Sequence, residues 1–96
     1  MKIYIAGPIT GTDDYMERFA AAEEQLQQDG HVVINPAKVF AGMPEETSHA
    51  EYMKLSICLL DMCEGIFMLK GFTESKGAMQ EFKHAAETGK VIRGEQ

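Results

Sequence analysis

KIYIAGPITG, residues 2–11, opens with a β-branched and aromatic run that scarcely alternates between polar and apolar, and it stops at Gly7 and Pro8. A strand without alternation is buried on both faces, as happens where helices cover both sides of a parallel sheet. The run predicts a strand over about residues 2–6. HVVIN (31–35), closed by Pro36, predicts a second strand, GIFML (65–69) a third, and KVI (90–92) a short last one.

Helical patterns lie between these runs. Thr12, Asp13 and Asp14 are cap-type residues, and Tyr15, Phe19, Ala22 and Leu26 recur at helical spacing up to Gly30. A second helix is predicted from about Ser48 to Met62, with Tyr52, Leu55, Leu59 and Met62 as its apolar stripe, and a third over 76–88, stopping at Gly89. Residues 37–48, with the breakers of AGMPEE, read as a long loop of the kind that forms lids or binding loops.

The order β-α-β-α-β-α-β, with no repeat, linker or low-complexity segment, predicts one domain over 1–96. Its fold is α/β, a small doubly wound, flavodoxin-like parallel sheet of about four strands with helices on both faces. Ligands of such sheets bind beyond the carboxyl ends of the strands, where the strand order reverses. Loops 7–12, 35–48 and 70–76 meet there.

A net charge of -6 argues against a nucleic-acid polymer as partner, because phosphate contacts need many Lys and Arg. A small molecule carrying one phosphate can still dock on the N–H groups of a helix start beside Lys76. No apolar run approaches the roughly 20 residues that span a membrane, and MKIYIAGP is too short for a signal peptide, so a cytoplasmic location is expected. Cys58 and Cys63 lie on different sides of one helix, which disfavours a disulfide and predicts two buried thiols. Too few ligands surround them for a metal, and no cofactor motif is present.

In the third helix, Lys76, Gln80, Lys83 and Glu87 form a solvent stripe, and Met79, Phe82 and Ala86 a core stripe. Glu81 belongs to neither. Three of its four neighbours one turn away, Gly77, Ala78 and Ala85, are small and leave room above it; the fourth is His84. Glu81 is therefore either an acid stabilised by the helix N-terminus or a carboxylate facing a ligand. Ser75 is the expected N-cap, and Gly77 admits a ligand to the first-turn backbone.

IYIAGPITG, the Ser-x-Gly-x-x-x-Glu pattern of SKGAMQE and the following HAAETGKVI resemble the nucleoside 2-deoxyribosyltransferase superfamily, including its 2'-deoxynucleoside 5'-phosphate N-hydrolases. The chain is most similar to small phage and bacterial proteins placed beside those enzymes. The resemblance implies that Glu81 is the nucleophile, attacking the anomeric carbon of a deoxyribose and expelling the base, with water or a second base completing hydrolysis or transfer. It implies that Gly7, Pro8, Ile9 and Thr10 line the base and sugar pocket, and that Ser75 and Gly77 hold the 5' end. Lys76 either adds charge favouring a monophosphate or is a solvated helix residue.

The chain departs from the pattern in two places. Ser56 stands where those enzymes carry the aspartate that orients the sugar and protonates the base, and the nearest acid, Asp61, is expected at the surface. Strand four is followed only by a short RGEQ tail, so a sheet edge is left for a homo-oligomer to cover. Two functions therefore compete: an N-glycosidase or deoxyribosyltransferase using Glu81, and a nucleotide-like ligand-binding or sequestering protein that lacks effective catalysis. A doubly wound module with an unrelated pocket is a third reading. His31, His49 and His84 are expected to be structural or solvent-facing, the seven methionines to fill the core, and Tyr4 and Tyr52 to serve either the pocket or the core.

Overall fold

The computed structural model describes residues 1–96. Strands β1 (Lys2–Ala6), β2 (Val32–Ile34), β3 (Gly65–Met68) and β4 (Val91–Gly94) form one all-parallel sheet in the order β2-β1-β3-β4. Ile3 sits between Val33 and Gly65, and Tyr4 between Ile34 and Ile66. The chain first winds outward to β2, then crosses β1 to β3, so strand order reverses between β1 and β3. This is the doubly wound sheet that the non-alternating opening run predicts. Ile3, Tyr4, Ile5 and Ala6 are each no more than 2% exposed.

Helices α1 (Tyr15–Gln28) and α2 (Pro36–Phe40) cover one face, where Ile3, Ile5 and Leu69 pack with Phe19, Ala22, Leu26 and Ala37. Helices α3 (His49–Asp61) and α4 (Lys76–Glu87) cover the other, where Tyr4, Ala6, Ile66 and Met68 pack with Leu60, Ala78 and Ala85. Central β1 thus has a core on each side. Edge strand β4 has all four residues exposed. No helix is long and apolar enough to cross a membrane.

Several local expectations are corrected. The predicted loop 37–48 starts as helix: Pro36 occupies the first turn of α2, where its missing N–H costs nothing, and Asn35 Oδ1 caps it by accepting from the Ala37 N–H (3.0 Å). Asn35 also donates to Glu23 (3.1 Å), which holds Lys38 at 2.8 Å, so α2 is pinned to α1. Partial burial raises the Glu23 carboxyl, but these bonds outweigh it and hold the group below its ordinary value.

On α3 the fully buried residues are Ser56 and Leu60, while Met62 is exposed, so the packed stripe lies one position C-terminal to the predicted one. Of the two thiols, both free, Cys63 is buried as expected but Cys58 is exposed. Helix α1 starts at Asp14 without a side-chain cap, and Thr12 bonds back to the Ile9 carbonyl instead.

Gly7 joins β1 to the site. A Cβ there would lie 2.8 Å from Leu69 Cβ, a backbone-anchored atom held in place because the Leu69 N–H bonds the Ala6 carbonyl (2.8 Å). Gly7→Ala is therefore expected to destabilise the fold by about 2 kcal/mol, read as a lowered denaturant midpoint.

Candidate active site

A cavity of about 760 Å³, within the range of small-molecule sites, opens at the carboxyl ends of β1 and β3. Its walls come from the loop after β1, the α2 end, the first two turns of α3 and the start of α4. Every residue singled out for the site in the sequence lines it: Gly7, Pro8, Ile9 and Thr10 on one wall, and Ser75, Lys76, Gly77 and Glu81 on another.

Helix α4 carries the second wall. A left-handed Gly71 (φ 86°) opens the 3₁₀ turn Phe72–Glu74, and Ser75 then caps α4 by accepting from the Ala78 N–H (3.1 Å). The buried stripe of α4 is Ala78, Glu81 and Ala85, and Glu81 is only 7% exposed. The expected core stripe, Met79, Phe82 and Ala86, is displaced to the flank: Met79 and Phe82 are half-buried, Ala86 is exposed, and Phe82 packs on Phe72 at 5.6 Å. Small side chains explain the rotation, since Ala78 and Ala85 let α4 settle close on the sheet and bring the glutamate down with it.

There Glu81 Oε2 accepts a hydrogen bond from the Tyr4 hydroxyl at 2.5 Å. Of the two roles left open for it Tyr4 takes the core: it is fully buried, does not line the cavity, and meets it only through this bond to Glu81. Burial pushes the Glu81 carboxyl up to about 7 even though the hydroxyls of Tyr4 and Ser56 oppose the shift. Burial first, and then the adjacent carboxylate, push the Tyr4 phenol well above its ordinary value, so Tyr4 is a donor across the neutral range. Ser56 is buried, with its hydroxyl 3.0 Å from the Met53 carbonyl and near enough to Glu81 to oppose the upward shift of that carboxyl. The expected surface acid Asp61 is exposed, and it pairs with His84 at 2.6 Å.

Tyr15, Phe40 and Glu74 also line the cavity, unforeseen in the sequence, and so does His49, for which a structural or solvent-facing role is expected. Phe40 and Tyr52 face each other at 5.1 Å and 59°, giving the cavity an aromatic side. Phe40 is hidden in the sequence because residues 37–48 read as loop. His49 and Tyr52 are set by the α3 capping box, in which Ser48 accepts from the Glu51 N–H (3.1 Å) and Glu51 from the Ser48 N–H (2.8 Å). No three His, Cys, Asp or Glu side chains converge anywhere as a metal site would require.

Gly77 keeps the cavity floor open. A Cβ there would stand 3.4 Å from Met53 Sδ and 3.8 Å from His49 Cε1, which is ordinary contact. Gly77→Ala is therefore expected to leave thermal stability unchanged or slightly raised, since alanine is the better helix residue by up to about 1 kcal/mol. The same methyl group intrudes on the cavity, so for a ligand held there calorimetry should record affinity lowered by about tenfold or more, roughly 1.4 kcal/mol.

Comparison with known proteins adds three findings. The family described as "Domain of unknown function (DUF4406)" matches residues 1–93. Among curated proteins none matches the chain. Among solved structures, the 2-deoxyribosyltransferase of the psychrotolerant bacterium Bacillus psychrosaccharolyticus is similar with a TM-score of 0.79 and 20% identity, over 98% of this chain and 71% of that one. At that identity the likeness establishes the shared fold.

Proposed function

The chain belongs to the DUF4406 family, and we propose that its cavity binds a nucleoside or nucleotide whose anomeric carbon is attacked by Glu81. The observation that carries this reading is the Glu81 carboxylate: on the wall of the cavity, 7% exposed, and bonded to the Tyr4 hydroxyl. A carboxylate kept from water is a poor ground state, and a sugar ring acquiring positive charge at its anomeric carbon stabilises it. The buried hydroxyl of Tyr4 fixes which oxygen is engaged and leaves the other for attack.

The remaining walls suit the parts of such a ligand. Phe40 and Tyr52 offer an aromatic side for a base, and Gly7–Thr10 offer a wall for base and sugar. The α4 N-terminus with Ser75, Lys76 and Gly77 offers N–H groups and one cation for a 5' hydroxyl or phosphate. The 2-deoxyribosyltransferase of like fold, described as a biocatalyst for nucleoside synthesis, supports the same class of ligand.

One observation favours a second reading, a binding protein without turnover. Ser56 is an alcohol, 3.0 Å from the Met53 carbonyl, and supplies no acid, and general acid catalysis commonly contributes about 10² to 10⁴ fold. Incubation with a panel of deoxynucleosides and their 5'-monophosphates, with free base measured by chromatography, separates the two. Base release by the wild-type protein but not by Glu81→Ala supports the enzyme. Thermal stabilisation by a nucleotide with no base released supports the binder.

A further inference from the structure

Resting on the N-glycosidic reading above, we propose that His49 supplies the proton that Ser56 cannot, protonating the departing base from the side of the cavity formed by α3. His49 is the first residue of α3, fixed there by the Ser48–Glu51 capping box, and it lines the same cavity as Glu81. Its ring lies over the first turn of α4. Cε1, the atom between the two ring nitrogens, is 3.8 Å from the point where a Cβ on Gly77 would stand. Gly77 is one helical turn before Glu81, and helical side chains lean toward the N-terminus of their own helix, so Glu81 leans toward the turn beneath His49. With no side chain at Gly77, the His49 ring can lie close on the first turn of α4, beside the cavity that Glu81 also lines.

The other lining groups suit the step less well. Glu74 stands exposed in the 3₁₀ turn at the rim, and Ser56 is an alcohol, too weak an acid for the step. Asp61 lies outside the cavity, paired with His84. An imidazole is the side chain that both gives and takes a proton near neutrality, as a two-step displacement requires.

In the first step a Glu81 oxygen bonds to the anomeric carbon while the carbon–nitrogen bond breaks. The bond's electron pair goes to the base, and the imidazolium of His49 passes its proton to that base. In the second step neutral His49 takes a proton from an attacking water, whose oxygen bonds the same carbon as the Glu81 carboxylate leaves. The sum is nucleoside plus water giving base plus sugar, with both residues returned to their starting states.

The test compares two deoxyribosides in a single turnover: a purine nucleoside, whose base needs the proton, and a deoxyribosyl fluoride, whose leaving group departs as a stable anion. In His49→Gln, purine release is expected to fall by about 10² to 10⁴ fold, and fluoride release by no more than about tenfold. Added imidazole should restore purine release in His49→Ala, and both variants should keep the wild-type thermal midpoint, since His49 is exposed. Equal losses on both substrates, or no loss on either, would overturn the assignment to His49. Fluoride released in a Glu81-dependent way by a wild-type protein that leaves the nucleoside intact also overturns it, while the nucleophile reading stands. Release of neither by the wild type overturns both.

Discussion

Between pH 4.5 and pH 8 the wild-type protein is expected to lose about 3 kcal/mol of stability relative to Glu81→Gln. In the folded state burial raises the Glu81 carboxyl from the ordinary 4.5 to about 7. Between those values the folded protein holds a proton that the unfolded chain has released. This contribution is fully present below about pH 4.5, declines as pH rises, and is gone once the pH has passed about 7. Each pH unit between the folded and unfolded values is worth about 1.36 kcal/mol, which makes the loss about 3 kcal/mol. Glutamine carries no such proton and can still accept from Tyr4. Other titrating groups are common to both proteins and cancel in the difference. Urea unfolding of the pair at pH 4.5, 6 and 8 measures it, and parallel stability curves would contradict it.

The second large effect is on chemistry. If Glu81 is the nucleophile, Glu81→Gln should lower base release by more than about 10³ fold, because removal of a covalent nucleophile leaves only binding and positioning. The ionised carboxylate is the competent form, so wild-type release at low substrate should rise with pH through about 7 on its acid side. The two effects pull in opposite directions. The substitution that removes activity should also stabilise the protein at neutral pH, as expected where a charge is held buried for function.

Much of the fold is legible because β1 declares its environment: four consecutive residues buried on both faces cannot alternate, and that requires helices on both sides. The start of α3 is legible from Ser48 and Glu51 three residues apart. Helix α2 is not, because Pro36 reads equally as the end of a strand and as the first residue of a helix, and Asn35 equally as a strand end and as a cap. The face of α4 misleads for a physical reason. Periodicity weighs Met79 and Phe82 above Ala78 and Ala85, yet helix-to-sheet approach is set by the small residues, and the long ones are free to pack sideways.

The candidate site is legible in outline and not in its partners. Loops after β1 and β3 must meet at the carboxyl edge where strand order reverses, so the eight residues proposed from them and from α4 share one cavity. Tyr4, 77 residues from Glu81 in the chain, becomes its donor only through the register of β1 beneath α4. Phe40 and Glu74 come from segments 35–48 and 70–76, which the sequence brings to that edge, yet no local pattern singles out their side chains, nor that of His49 at the start of α3.

The most direct measurement of nucleophilic attack by Glu81 is intact-mass analysis of the protein quenched during reaction with a deoxynucleoside, followed by peptide mapping. A deoxyribosyl adduct is expected on the peptide that carries Glu81, present in the wild type and absent in Glu81→Gln. Base released at undiminished rate by Glu81→Gln, or an adduct mapped to another residue, would contradict it.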